Sequence, residues 1–207
     1  MADEDPNDEP APSNYQLKPG FHTPVRTSTI GMYLFLASLF MLFAASILGY
    51  VIIRLSVFRK APTIAVEVPQ TLWISTVIVV VASATIQLAV NELRREHQAA
   101  FRRWLIITLV LAIGFVIVQT PSMVLLMQRQ HQLVQKHLAL YGLIFVLILL
   151  HALHVLGGIA ALGWTTRQAR ANAYDHENFQ PVARVALYWH FLDGVWMAMF
   201  FTFLLMR

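Results

Sequence analysis

Four side chains in this sequence have the types and spacing for proton, metal or hydrogen-bond chemistry: His151 and His154 in one long apolar run, His190 and Asp193 in the next. Each pair is spaced i, i+3, one helical turn, so both members can share a helix face. Imidazoles and a carboxyl inside apolar runs are costly in lipid and mark function or a specific polar contact. His151 and His154 would lie about 4.5 Å apart along a helix and some 60° apart in azimuth, both able to face one groove. One helix cannot place them on opposite sides of a haem iron, and the chain offers no second histidine pair at several-turn spacing. A small metal ion would need a third and fourth ligand. Interhelical hydrogen bonding, contact with another subunit or lipid, and metal binding remain the readings of the pair.

The elements that must position these residues are membrane helices. Of the 207 residues 57% are hydrophobic and only 13% charged, and the charge sits between long apolar runs. A span needs about 20 mostly apolar residues, which places five at about 28–53, 70–93, 104–127, 137–166 and 183–206. The expected fold is an all-α, five-transmembrane-helix bundle, residues 28–207. Residues 1–27, with Asp3, Glu4, Asp5, Asp8 and Glu9 followed by Pro10, Pro12 and Pro19, read as a flexible acidic, proline-rich tail. The tail has neither a basic region leading into a short apolar core nor Arg-rich amphipathic character, so the first span is the expected insertion signal. With no cysteine, disulfides, thiolate clusters and thioether haem attachment are excluded.

A net charge of +4 would suggest nucleic acid in a soluble protein, but here the bases flank helix ends, and no nucleic-acid role is expected. With the amino terminus inside, nine Lys and Arg fall on the cytoplasmic side (Lys18, Arg26, Arg94, Arg95, Arg102, Arg103, Arg167, Arg170, Arg184) against six outside. This favours N-in, C-out. Trp104, Trp164 and Trp189 are expected as interfacial anchors, and Trp196 as a packing residue. Residues 91–103 form a basic turn whose Arg94, Arg95, Arg102 and Arg103 are candidate contacts for lipid headgroups.

Depth suggests a partner for the acid. Counted from the same membrane face, Asp193 lies roughly 12 Å in, His154 roughly 16 Å and His151 roughly 21 Å. His154 is therefore the expected partner of Asp193 in an interhelical polar lock. Gly157, Gly158 and Ala161 would let the fourth and fifth helices approach closely.

These motifs carry a resemblance. His151-Ala152-Leu153-His154-Val155 and Tyr188-Trp189-His190-Phe191-Leu192-Asp193 with Trp196, in that order in the last two spans, are similar to the closing motifs of subunit III of the haem-copper cytochrome c oxidases. The chain resembles the short form that lacks the first two of seven helices. Gly31 to Ser38, Val68-Pro69 with Ser75-Thr76, and Phe115 with Gln119 match weaker family positions. Two acids usual in the family are absent: Leu39 stands at one, and Gln119-Thr120-Pro121-Ser122 replaces a Gln-x-x-Glu.

The resemblance implies a non-redox subunit of a respiratory terminal oxidase in the bacterial cytoplasmic membrane. It would pack on the catalytic subunit I, with subunit II and other respiratory subunits nearby, and bind phospholipid. It would hold no catalytic or metal site, haem and copper belonging to partner subunits, and His151, His154, His190 and Asp193 would be interhelical and lipid-cleft contacts. A proton-relay role is put in doubt by Leu39. Rival readings are an accessory subunit of a related complex such as nitric oxide reductase, and a small proton or solute transporter using the four polar residues as a relay. A membrane cytochrome b is disfavoured by the histidine spacing.

Overall fold

The computed structural model describes residues 25–58, 71–131, 138–171, 174 and 179–205. The acidic tail up to residue 24, the Val68-Pro69 pair and the bases Arg59, Lys60, Lys136 and Arg207 lie outside them. Five α-helices follow one another: α1 (Val25–Phe58), α2 (Thr71–Arg94), α3 (Gln98–His131), α4 (Leu138–Arg170) and α5 (Gln180–Leu205). α1 to α4 each contain a stretch long and apolar enough to cross a membrane. α5 does not meet that measure, because Tyr188, Trp189, His190, Asp193 and Trp196 lower its mean hydropathy. Its 26 residues still extend about 39 Å at 1.5 Å per residue.

The arrangement explains why the polar groups of α5 are tolerated. α5 packs against α1, α2 and α4, and α4 against α1, α3 and α5. These two helices form the middle of the bundle, with α1 on one side and the α2–α3 hairpin on the other. Polar groups on α5 thus meet protein on the side that faces α2, with His190 and Asp193 half-buried there. Buried side chains group into a cluster at the basic end (Leu93, Phe101, Leu105, Leu162, Val182), one between α1, α4 and α5 (Phe43, Tyr50, Leu147, Met199), and one between α2, α3, α4 and α5 (Val79, Phe115, Val155, Leu192, Trp196).

The connection between α2 and α3 is tighter than the basic turn expected over 91–103. α2 runs through Arg94 and α3 begins at Gln98, so Arg94, Arg102 and Arg103 stand on helices and only Arg95, Glu96 and His97 turn the chain. His97 N–H donates to the Glu92 carbonyl at 3.0 Å and Glu96 N–H to the Leu93 carbonyl at 3.2 Å. This pair of bonds closes a helix C-terminus when the residue between adopts a left-handed conformation, and Glu96 has φ 65°. Glycine suits that position because it has no Cβ to clash. Glu96→Gly is therefore expected to raise stability by about 1 kcal/mol, read as a higher unfolding midpoint of the purified protein. An unchanged or lower midpoint would show that the Glu96 side chain offsets its own strain.

Candidate functional site: a polar seam around helix α5

Asp193 and His190 lie three residues apart on α5 and face α2. The Ser83 hydroxyl of α2 is 2.7 Å from His190 Nδ1 and lies beside the Asp193 carboxyl. His190 Nε2 is 3.1 Å from Gln87 Oε1, and Gln87 Nε2 donates to Asn91 Oδ1 at 3.3 Å. An amide oxygen only accepts, so Nε2 of His190 carries a proton. Two arrangements then satisfy the triad. Either the neutral imidazole accepts from Ser83 and Ser83 accepts from a protonated Asp193, or an imidazolium donates to Ser83 and Ser83 donates to the carboxylate. One proton is shared in both, and the net charge is zero in both. That removes the cost of an uncompensated buried charge.

The seam requires α2 residues that the reading of the sequence passed over. Ser83, Gln87 and Asn91 recur at i, i+4 and i+8 in an otherwise apolar helix, a spacing that puts them on one face. Serine and glutamine are individually unremarkable in a membrane helix. Their stripe was the available signal.

The lock expected between His154 and Asp193 is replaced by other bonds. His154 Nδ1 donates to the Leu150 carbonyl on its own helix at 2.6 Å, and its ring meets Phe43 of α1 edge-on at 5.5 Å between centroids. At that depth α4 and α5 are joined by the Tyr188 hydroxyl, which donates to the His154 main-chain carbonyl at 3.0 Å. The cause is azimuth. Asp193 follows Tyr188 by five residues, about 140° further round the helix at 3.6 residues per turn, so when Tyr188 faces α4, Asp193 turns to α2.

His151 and His154 do share a face, both with rings against Phe43. His151 is the deeper packed, 5% exposed, and stacks on Trp196 at 5.9 Å with planes 29° apart. Trp196 is the packing residue expected: its Nε1 donates to Thr76 Oγ1 of α2 at 3.2 Å and its ring meets Phe115 of α3 edge-on. Thr76, Phe115, His151 and Trp196, read from the sequence as separate motifs, therefore converge from four helices. Trp189, expected as an interfacial anchor, is instead buried. Trp164 is exposed and Trp104 half-buried. Leu39 packs in the interior of the bundle where an acid would have had to be paired, and Gln119 is buried with Oε1 lacking a hydrogen-bond partner. Gly158 faces α5 closely, whereas Gly157 meets only the Tyr188 hydroxyl at 4.0 Å.

At the basic end, the Arg94 guanidinium lies 4.9 Å from the centroid of the Phe179 ring. Glu92 holds the turn, with Oε2 2.8 Å from His97 Nδ1 and Oε1 4.0 Å from Arg95. Arg95 and Arg103 are exposed and Arg102 half-buried. Arg167 and Arg170 close α4 at the same end, where cations also favour the helix C-terminus. Among the described residues no group of three or more His, Asp or Glu side chains stands together as a metal site.

The family described as cytochrome c oxidase subunit III matches residues 13–206. Among individual relatives, the probable cytochrome c oxidase subunit 3 of Nocardia farcinica is 28% identical over 181 residues, 86% of this chain and 88% of that one. The quinol oxidase subunit 3 of Bacillus subtilis is 28% identical over 196 residues, 92% of this chain and 90% of its own length. The probable quinol oxidase subunit 3 of Staphylococcus saprophyticus is 30% identical over 145 residues, 68% and 69% of the two chains.

Proposed function

We propose, from the premise that this chain belongs to the cytochrome c oxidase subunit III family, that it is the multi-pass scaffold subunit of a haem-copper terminal oxidase. In this role it packs against the catalytic subunit I and keeps it folded and turning over, while haem and copper sit in partner chains. α5 is the fifth membrane span, the amino terminus lies on the cytoplasmic side, and the membrane is the bacterial cytoplasmic membrane. Arg94, Arg95, Arg102 and Arg103 meet anionic headgroups, each such contact contributing about 1 kcal/mol near the surface. For Arg94 the Phe179 ring holds the guanidinium in place.

One observation supports the scaffold role over a relay or carrier: His154, His190 and Trp196, from the two specific motifs, direct their hydrogen bonds to α2 and to their own helices. Such bonds set the positions of helices. In lipid each contributes on the order of 0.6–2 kcal/mol, enough in sum to fix a bundle that other subunits recognise.

A terminal tag, mild extraction of native membranes and a reduced-minus-oxidised spectrum of the eluate test the reading. Co-purification of an oxygen-reducing haem-copper subunit is expected, with oxygen uptake. Relatives are named for both cytochrome c and quinol oxidases, so uptake driven by a reduced cytochrome c or by a quinol names the donor. A haem-free chain eluting alone would overturn the proposal.

A further inference from the structure

We propose that the acidic segment Asp3–Glu9 of this chain binds the arginines at the basic end of its own bundle, and that it competes there with anionic lipid headgroups. The competition rests on the headgroup role proposed above for those arginines. Of the chain's 11 acids, Asp3, Glu4, Asp5, Asp8 and Glu9 stand in this segment, with no Lys or Arg before Lys18. The segment precedes the described residues, and α1 fixes the end of the bundle from which it departs. Phe35 of α1 stacks on Tyr188 near the start of α5, whereas Tyr50 meets Phe203 near its close. α1 and α5 therefore run in the same direction, and Val25 and Gln180 lie at one end. The α2–α3 turn is tied to that end by Gln98 Nε2, which donates to the Tyr174 carbonyl of the α4–α5 connection at 3.1 Å.

Charge selects the occupant. Arg94, Arg95, Arg103, Arg167 and Arg170 are exposed at this end. The acids there, Glu92 and Glu96 with Asp175 and Glu177 of the α4–α5 connection, are fewer, and Glu92 is engaged by His97 and Arg95. A positive surface remains, on the same side of the membrane as the acidic segment, whichever side that is. Reach is sufficient. Val25 follows Glu9 by 16 residues, about 50 Å at the 3.1 Å per residue of a proline-rich linker. Packed helices lie only about 8–10 Å apart, so the whole end of a five-helix bundle is within range. Single exposed ion pairs are weak, but tethering raises the effective concentration of the carboxylates to the order of millimolar. Carboxylate and phosphate oxygens both accept paired hydrogen bonds from a guanidinium. The segment and a headgroup therefore exclude each other at any one arginine.

The sequence contains no cysteine, so a pair introduced by Asn7→Cys and Ala99→Cys reports the contact without removing a charge. Asn7 lies within the acidic segment, and Ala99 is exposed in the first turn of α3, between the arginine pairs. The double variant, extracted with whatever subunits it carries, is placed in phosphatidylcholine vesicles and oxidised with copper phenanthroline, and its disulfide-linked peptides are quantified. At low salt the disulfide is expected to form about tenfold faster than in the same chain with the five acids replaced by Asn or Gln, the order given by a few exposed ion pairs formed together. The neutral segment has the same tether and reach, so the ratio isolates charge. At 1 M salt, where the screening length falls to about 3 Å, the ratio should approach unity. Vesicles rich in phosphatidylglycerol should slow the acidic form. Equal rates for the acidic and neutral segments in phosphatidylcholine at low salt, or a disulfide found only between two chains, would overturn the docked segment. A charge-dependent rate that phosphatidylglycerol leaves unchanged would overturn the competition, and the headgroup reading with it, while keeping the segment on the arginines.

Discussion

Ser83→Ala is expected to destabilise the bundle by about 1 kcal/mol, the ordinary net contribution of a half-buried hydrogen bond. The substitution removes one small oxygen, yet that oxygen bonds His190 Nδ1 and stands beside the Asp193 carboxyl. Without it neither of the two shared-proton arrangements can form. Ser83→Thr keeps the hydroxyl and should hold most of the stability, which separates loss of the bond from a change of shape. His154→Ala should cost less than Ser83→Ala, since its imidazole bonds only to the preceding turn of its own helix, although it forfeits the Phe43 contact. The measurement is the thermal unfolding midpoint of the detergent-purified protein for each variant. Equal losses for Ser83→Ala and Ser83→Thr, or a larger loss for His154→Ala, would remove the seam as the polar determinant of this fold.

The same comparison shows what was legible in the sequence. Apolar run length located five helices, because a helix in lipid has little choice of length or conformation. Register between α4 and α5 was legible too: counting residues set His154 opposite the Tyr188–Asp193 stretch, and the Tyr188 hydroxyl does meet the His154 carbonyl. Rotation of one helix against another was not. It depends on which small and large residues interdigitate, and the sequence marks that only through paired positions on two helices at once. The stripe Ser83, Gln87 and Asn91 was such a mark for α2, and it pointed to Asp193 and His190. His154, though nearly level with Asp193, had turned to Phe43 of α1. The extents of helices were similarly underread at the basic turn, because arginines in the last turn of α2 and near the start of α3 look like loop residues when only hydropathy is followed.

Gly158→Val should cost more than any single polar change, about 3 kcal/mol, at the upper end of what overpacking a tight core costs. A Cβ at Gly158 would stand 3.2 Å from Leu192 Cδ1, 3.2 Å from Tyr188 Cε1 and 3.4 Å from Trp189 Cζ2. The leucine methyl can turn aside. The Tyr188 ring cannot move freely, being tied through its hydroxyl to the His154 carbonyl and stacked on Phe35 at 6.1 Å. Gly158→Ala should therefore cost about 1 kcal/mol, and valine, whose extra methyls must also be housed, considerably more. Gly157→Ala is the control, since its nearest neighbour is 4.0 Å away, and alanine is the better helix former. The mechanism predicts coupling as well as magnitude. If valine pushes the Tyr188 ring off α4, its hydroxyl no longer reaches His154, and Tyr188→Phe will cost less in the Gly158→Val background than in the wild type. Strict additivity of the two substitutions in unfolding midpoints would mean that the ring stays in place and that the Leu192 and Trp189 side chains give way instead.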